Sequence, residues 1–94
     1  MSPQTAARAD LFTAIADPRR RRILELLRNG DRTVGELTAD LGIAQPSVSQ
    51  HLRLLADLGL VASTRRGTSS VYRLTPEPLG AVRDWIDAQS RPSQ

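Results

Sequence analysis

The stretch that decides the fold is TVGELTADLGIAQPSVSQHLRLLADLG, residues 33–59. It opens with Thr33-Val34-Gly35-Glu36, the spacing of a capping box. There a hydroxyl and a carboxylate each satisfy a backbone N–H that the first turn of a helix leaves free. The helix so begun carries Leu37 and Leu41 inward and stops at Gly42, with Ile43 in the turn. A second helix starts around Gln45-Pro46, where proline's fixed φ suits the first turn, and runs to Leu58 before Gly59 ends it. Two short helices joined by a turn of about three or four residues form a helix-turn-helix.

The second of these helices can be checked for a protruding face. At about 100° per residue, Val48, Leu52, Leu55 and Leu58 gather on one side and must face a core. Ser49, Gln50, Arg53 and Asp57 fall opposite, and Gln45 and Ser47 are expected to be exposed near the start. Glutamine bonds adenine bidentately, serine donates or accepts, and arginine reads guanine or phosphate, so this face suits the major groove of double-stranded DNA. The helix N-terminus adds free N–H groups toward phosphate. The plain alternative is an ordinary solvated face; the capped helix before it and the hairpin after it favour the groove. His51 sits at the margin of the apolar side, beside Val48 and Leu55. A half-buried, hydrogen-bonded role is expected for it rather than a titrating switch; a phosphate contact is the other reading.

Outward from this core, Thr5 to Ala16 read as a first helix with Leu11, Phe12 and Ile15 on one face. Asp17-Pro18 then restarts the chain as N-cap and first helical residue. That second helix buries Ile23, Leu26 and Leu27 and ends near Arg28 at Asn29-Gly30. After Gly59, residues 60–65 and 69–74 suit a two-stranded ribbon with Arg66-Gly67-Thr68 at its tip. Pro76 and Pro78 open a last helix reaching about Gln89, with Leu79, Val82 and Ile86 at helical spacing and Trp85 beside them. The expected order is four helices, a hairpin and a fifth helix: a mainly α, winged helix-turn-helix chain. Residues 1–94 form one domain, with the helix-turn-helix at 33–59, the wing at 60–74 and outer helices at 5–16 and 76–90.

The wing supplies a second footprint. Arg65 and Arg66 flank its tip and Arg73 lies on the returning strand, placed to run along a phosphate backbone or enter a minor groove. Charges at a hairpin end also keep a sheet edge soluble, which is the competing reading. Arg19 to Arg22 form the densest positive run, at a helix N-terminus where they oppose the macrodipole. Pairing with Asp17, Glu25 or Asp31 is expected there ahead of contact with phosphates.

Composition narrows the chemistry. The 94 residues carry a net charge of +3, and all thirteen basic residues are arginine. With no cysteine and a single histidine, disulfides, thiolate metal sites and a histidine cluster are excluded within the chain. No apolar run approaches the ~20 residues that cross a bilayer, and MSPQTAARAD lacks a hydrophobic signal core, so no membrane partner and a cytoplasmic protein are expected. A chain of this size buries only roughly 60% of its unfolded surface, so a second copy would help stabilise it. No Cys-His or Ser-His-Asp arrangement and no glycine-rich phosphate loop is present, and an enzyme is not expected.

Ile15 through Leu27 (IADPRRRRILELL), Thr33 through Leu37 and Gln45 through Leu55 (QPSVSQHLRLL) together resemble the ArsR/SmtB family of bacterial transcriptional repressors. The likeness continues through Leu58-Gly59-Leu60-Val61, Arg66-Gly67 and Val71 to Leu74, and covers residues 8–90. It implies a homodimer that binds an operator and represses transcription. By position it implies base contacts from Gln45, Ser47, Ser49 and Gln50 and a wing from Arg65 through Ser69. It also implies a dimer face built from Leu11, Phe12, Ile15, Leu79, Val82, Trp85 and Ile86. Metal-sensing members carry cysteines near the third helix or acidic and histidine ligands on the last. Here the third helix has neither Cys nor His, and the last offers only Glu77, Asp84 and Asp87, a poor set for zinc or softer metals. No metal or cofactor is expected, and any small-molecule inducer is unknown. A winged-helix module that binds protein and not DNA is the rival reading; its outer face would be apolar or acidic, unlike a polar face with Arg53.

Overall fold

The computed structural model describes residues 11–92. The expected start of the first helix at Thr5 lies outside them. Residues 11–16 are helical (α1), and α2 spans Pro18–Arg28. The break between them is chemical: Asp17 is extended at φ −85°, ψ 123°, and its carboxylate accepts the Arg19 N–H at 2.7 Å. Pro18 follows as the first helical residue, where its missing N–H costs nothing. Asn29 caps the C-terminus through bonds to the Leu26 and Leu27 carbonyls.

A two-residue strand, β1 (Arg32–Thr33), precedes α3 (Val34–Leu41) and α4 (Gln45–Asp57). The capping box is present in full, with Glu36 N–H donating to the Thr33 hydroxyl at 3.1 Å and Thr33 N–H to the Glu36 carboxylate at 2.8 Å. Gly42 ends α3 at φ 67°, a left-handed conformation that favours glycine. Strands β2 (Val61–Arg66) and β3 (Ser69–Leu74) form the hairpin, and α5 (Leu79–Ser90) closes the chain.

The observed order differs from the expected one at β1. Arg32 pairs with Tyr72 and Thr33 with Val71, giving a three-stranded antiparallel sheet in the order β1-β3-β2. Two residues show no alternation to read; this strand exists because β3 offers a free edge. The hairpin tip is tighter than expected: Arg66 still pairs with Ser69, leaving only Gly67-Thr68 in the turn. Gly67 at φ 59° before a residue without positive φ is the pattern of a type II′ turn, whose twist matches the strands. The last helix begins at Leu79, later than the expected Pro76. The chain enters α5 through three successive i→i+3 bonds, from Leu79 to Pro76, Gly80 to Glu77 and Ala81 to Pro78.

One apolar core joins every element except β1. Ile23, Leu37, Val48, Leu52, Leu55 and Leu60 are fully buried in it, with Leu24, Leu26, Leu27 and Val61 around them. Leu11 and Ala14 of α1 and Val82 of α5 belong to the same cluster, so the outer helices are anchored and do not hang free.

Candidate nucleic-acid interface

Helix α4 is held from below and open above. Val48, Leu52 and Leu55 are buried against α2 and α3, which leaves Gln45, Ser49, Gln50 and Arg53 exposed. Ser47 corrects the sequence reading: it is half-buried, because it lies one turn before His51 on the flank that turns toward α2. Leu54 was passed over in the sequence, yet it is 37% exposed on this helix, four residues after Gln50. That spacing was the available signal.

The wing comes to the same side of the molecule. A cleft of about 330 Å³ is lined by Thr33, Val34 and Gly35 at the start of α3, Gln45 at the start of α4, and Thr68, Ser69 and Ser70 of the wing. Two helix N-termini and the tip of the hairpin thus border one concave surface, with Arg65 and Arg66 exposed beside it. Among the described residues, Arg53, Arg65 and Arg66 form no ion pair. Arg19, Arg20, Arg22, Arg32 and Arg83 each lie within 3.6 Å of a carboxylate. The cations on the helix face and wing are therefore available to an outside anion, as are the exposed Arg28 and Arg91, which likewise form no ion pair among the described residues. Arg73, also on the wing, reaches only the Thr64 hydroxyl at 3.5 Å.

The run Arg19 to Arg22 points inward as much as outward. Arg19 and Arg20 pair with Asp17 and Arg22 with Glu25, both at carboxylates named from the sequence; Asp31 is not used. The larger part was not legible. Arg20 donates to the Thr13 and Ala14 carbonyls, each at 2.8 Å, and Arg21 donates to those of Ile15 at 2.8 Å and Ala16 at 3.1 Å. Two guanidinium groups of α2 thereby satisfy the four carbonyls that the last turn of α1 leaves open. Their charge lies at the negative end of that helix, where it is favourable.

Arg20 also meets α4. Its Nη1 lies 3.4 Å from His51 Nδ1. Guanidinium only donates, so Nδ1 is the acceptor and the ring proton sits on Nε2. Burial holds the His51 pKa below its ordinary value, with Arg20 and Arg19 adding to the effect and Asp17 opposing it. As pH falls through about 6.5 the unfolded chain therefore takes up a proton that the folded chain refuses, and stability is lost until the lower, folded pKa is passed. Urea midpoints measured from about pH 7.5 downward are expected to show that slope, and His51→Asn, an acceptor that does not titrate, is expected to remove it. Asp17 is lowered chiefly by the Arg19 N–H and Glu36 by the Thr33 N–H, so both act only below their usual carboxylate range, in a separate window.

The seven residues expected on a dimer face divide. Leu11 and Val82 are buried within the chain itself, and Phe12, Ile15 and Leu79 are half-buried. Trp85 and Ile86 are exposed over 52% and 51% of their surfaces. Phe12 packs edge-on against Trp85, ring centres 5.3 Å apart, at a shallow apolar cavity of about 300 Å³ between α1 and α5. Among the described residues no group of three or more His, Asp or Glu could hold a metal ion, and no helix is long and apolar enough to cross a membrane.

With this geometry in place, the sequence model for bacterial regulatory proteins of the arsR family matches residues 17–63, from the Asp17 cap into the first wing strand. The chain belongs to the ArsR family. It is 46% identical over 76 residues to the HTH-type transcriptional regulator Rv2034 of Mycobacterium tuberculosis, covering 81% of this chain and 71% of that protein. It is 36% identical over 77 residues to the transcriptional repressor SdpR of Bacillus subtilis, covering 82% and 86%. Its fold superposes with a TM-score of 0.73 on the homodimeric winged helix-turn-helix DNA-binding domain Mb0332 of Mycobacterium bovis, at 29% identity over 96% of this chain and 87% of that one. This ArsR-family chain is accordingly a winged helix-turn-helix, DNA-binding transcriptional regulator.

Proposed function

We propose that the chain is a cytoplasmic homodimeric repressor, not an enzyme, that binds a near-palindromic operator through α4 and the wing. The observation that carries this reading is the shared cleft: the start of α4 and the wing tip face one side, and the arginines beside them are unpaired within the described chain. In the reading, Gln45, Ser49, Gln50 and Arg53 address base edges from the major groove. Ser47, half-buried, reaches the groove only with its hydroxyl. The 37% of Leu54 left exposed suits an apolar contact with a thymine methyl. Arg65 and Arg66 neutralise phosphates.

The second copy is supported by Trp85 and Ile86, two large apolar side chains exposed over half their area on one helix. Helices α1 and α5 would pack across the two-fold axis, setting two α4 helices about 34 Å apart in successive major grooves. The homodimeric state of Mb0332 and the repressor role of SdpR agree with this arrangement.

The test separates the two kinds of contact. Duplexes are first selected by the purified protein from a random-sequence pool, and binding is then followed by fluorescence anisotropy across a salt series. Gln50→Ala is expected to cost about 1–3 kcal/mol on the selected duplex and little on a random one. Arg66→Ala is expected to weaken both alike and to reduce the salt slope by about 1 per site. Normal binding by both variants would refute the placement of the interface.

A further inference from the structure

The helix that reads bases is tied to the helix that ends at residue 16 by one side chain. Arg20 stands with Nε on the Ala14 carbonyl and Nη2 on the Thr13 carbonyl, both at 2.8 Å, while Nη1 meets His51 of α4 at 3.4 Å and Asp17 at 3.6 Å. Its side chain is only 15% exposed, so these partners take the place of water. A guanidinium is planar and fixes its donors relative to one another. Locking two of them on α1 therefore fixes where the third points, and the third points at α4. On the far side, α1 is tied to α5 by the Phe12–Trp85 edge contact. A continuous route of packed groups runs from the exposed Trp85 through α1 and Arg20 to the flank of α4.

We propose that Arg20 is a positioning residue for DNA recognition: it sets the seat of α4 relative to the outer helices through His51, and so governs sequence discrimination without touching DNA. This rests on α4 being the base-reading helix. Displacing a reading helix by a fraction of an ångström spoils bidentate base contacts, which demand fixed geometry, and leaves phosphate attraction nearly intact. The charge itself is not what matters here, since Arg20 is turned inward onto carbonyls.

Lysine at this position keeps the charge but is a point donor on a flexible stem and cannot bridge both helices in a fixed plane. The experiment compares the wild type, Arg20→Lys, His51→Leu and the double variant on the selected duplex and on a random duplex, well below each melting temperature, over a salt series. Each single variant is expected to lower the ratio of selected to random affinity by about tenfold, the scale of coupling between contacting groups. The salt slope is expected to stay as in the wild type. The double variant is expected to fall no further than either single one, because both cut the same link. His51→Asn, which retains an acceptor, is expected to restore most of the ratio.

An unchanged ratio in folded Arg20→Lys, or additive losses in the double variant, would overturn the proposal. Arg20→Gln, which removes the charge, is measured beside them: a salt slope reduced by about 1 in that variant would show instead that Arg20 contacts a phosphate. If Arg20→Lys does not fold, His51→Leu against His51→Asn still decides the matter. Failure of the wild type to select any duplex would count against the DNA-reading role of α4 itself, and is thereby told apart from failure of the Arg20 link.

Discussion

Ile86→Asp is expected to leave a folded monomer whose affinity for the selected duplex is about a hundredfold or more below that of the wild type. Ile86 is half exposed and lies outside the buried cluster, so a carboxylate there costs the single chain little. Across a two-fold axis the same substitution sets two charges into an apolar seam, each desolvated and unpaired. Once the dimer is lost, the second α4 no longer binds as part of the same molecule, and the gain from linking two half-sites vanishes. Sedimentation of the variant and the wild type at matched concentration, beside the anisotropy titration, checks both halves of this expectation. Val82 would be a poor choice for the same test, since it is 6% exposed within the chain and its replacement would unfold it.

Leu52→Ala is expected to destabilise the fold by about 3 kcal/mol, within the range found for buried leucine truncations. Leu52 is fully buried at the middle of α4, among Ile23, Leu37 and Leu55. In a chain of this length that loss lowers the melting temperature by roughly 12–24 °C, a large share of the margin a small domain has. DNA binding would fall with it at temperatures where the variant melts and persist below them. Gln50→Ala provides the contrast: an exposed change two residues away, on the other side of the helix, that is expected to shift stability by no more than about 0.5 kcal/mol while costing base recognition. Thermal melts monitored by circular dichroism distinguish the two.

Much of this fold was legible because its punctuation is local. Thr33 with Glu36, Asp17 with Pro18, and the glycines at 42, 59 and 67 each act within a few residues of themselves, and each does in the structure what its chemistry required. The inward stripe of α4 followed from periodicity. What escaped depends on partners distant in sequence. Strand β1 exists only because β3 presents an edge about forty residues later, where Arg32 meets Tyr72. The run Arg19 to Arg22 showed its charge but not its direction, and carbonyls of the preceding helix, which claim Arg20 and Arg21, carry no signature in a side-chain sequence. Ser47 reads as polar and exposed until the flank of α4 is seen to turn toward α2. The apolar stripes of α1 and α5 were legible as stripes, but their division into residues serving the chain's own core and residues left outside it required the packing.

The reading of α4 and the wing as a paired, two-fold DNA interface is tested most directly by footprinting. Duplexes selected from a random pool by the wild-type protein would be cleaved with hydroxyl radicals in its presence. Two protected tracts are expected, related by a dyad in the selected sequence, with major-groove centres about 34 Å apart and flanking protection from the wings. A single asymmetric tract, or a pool from which no sequence is enriched, would contradict it.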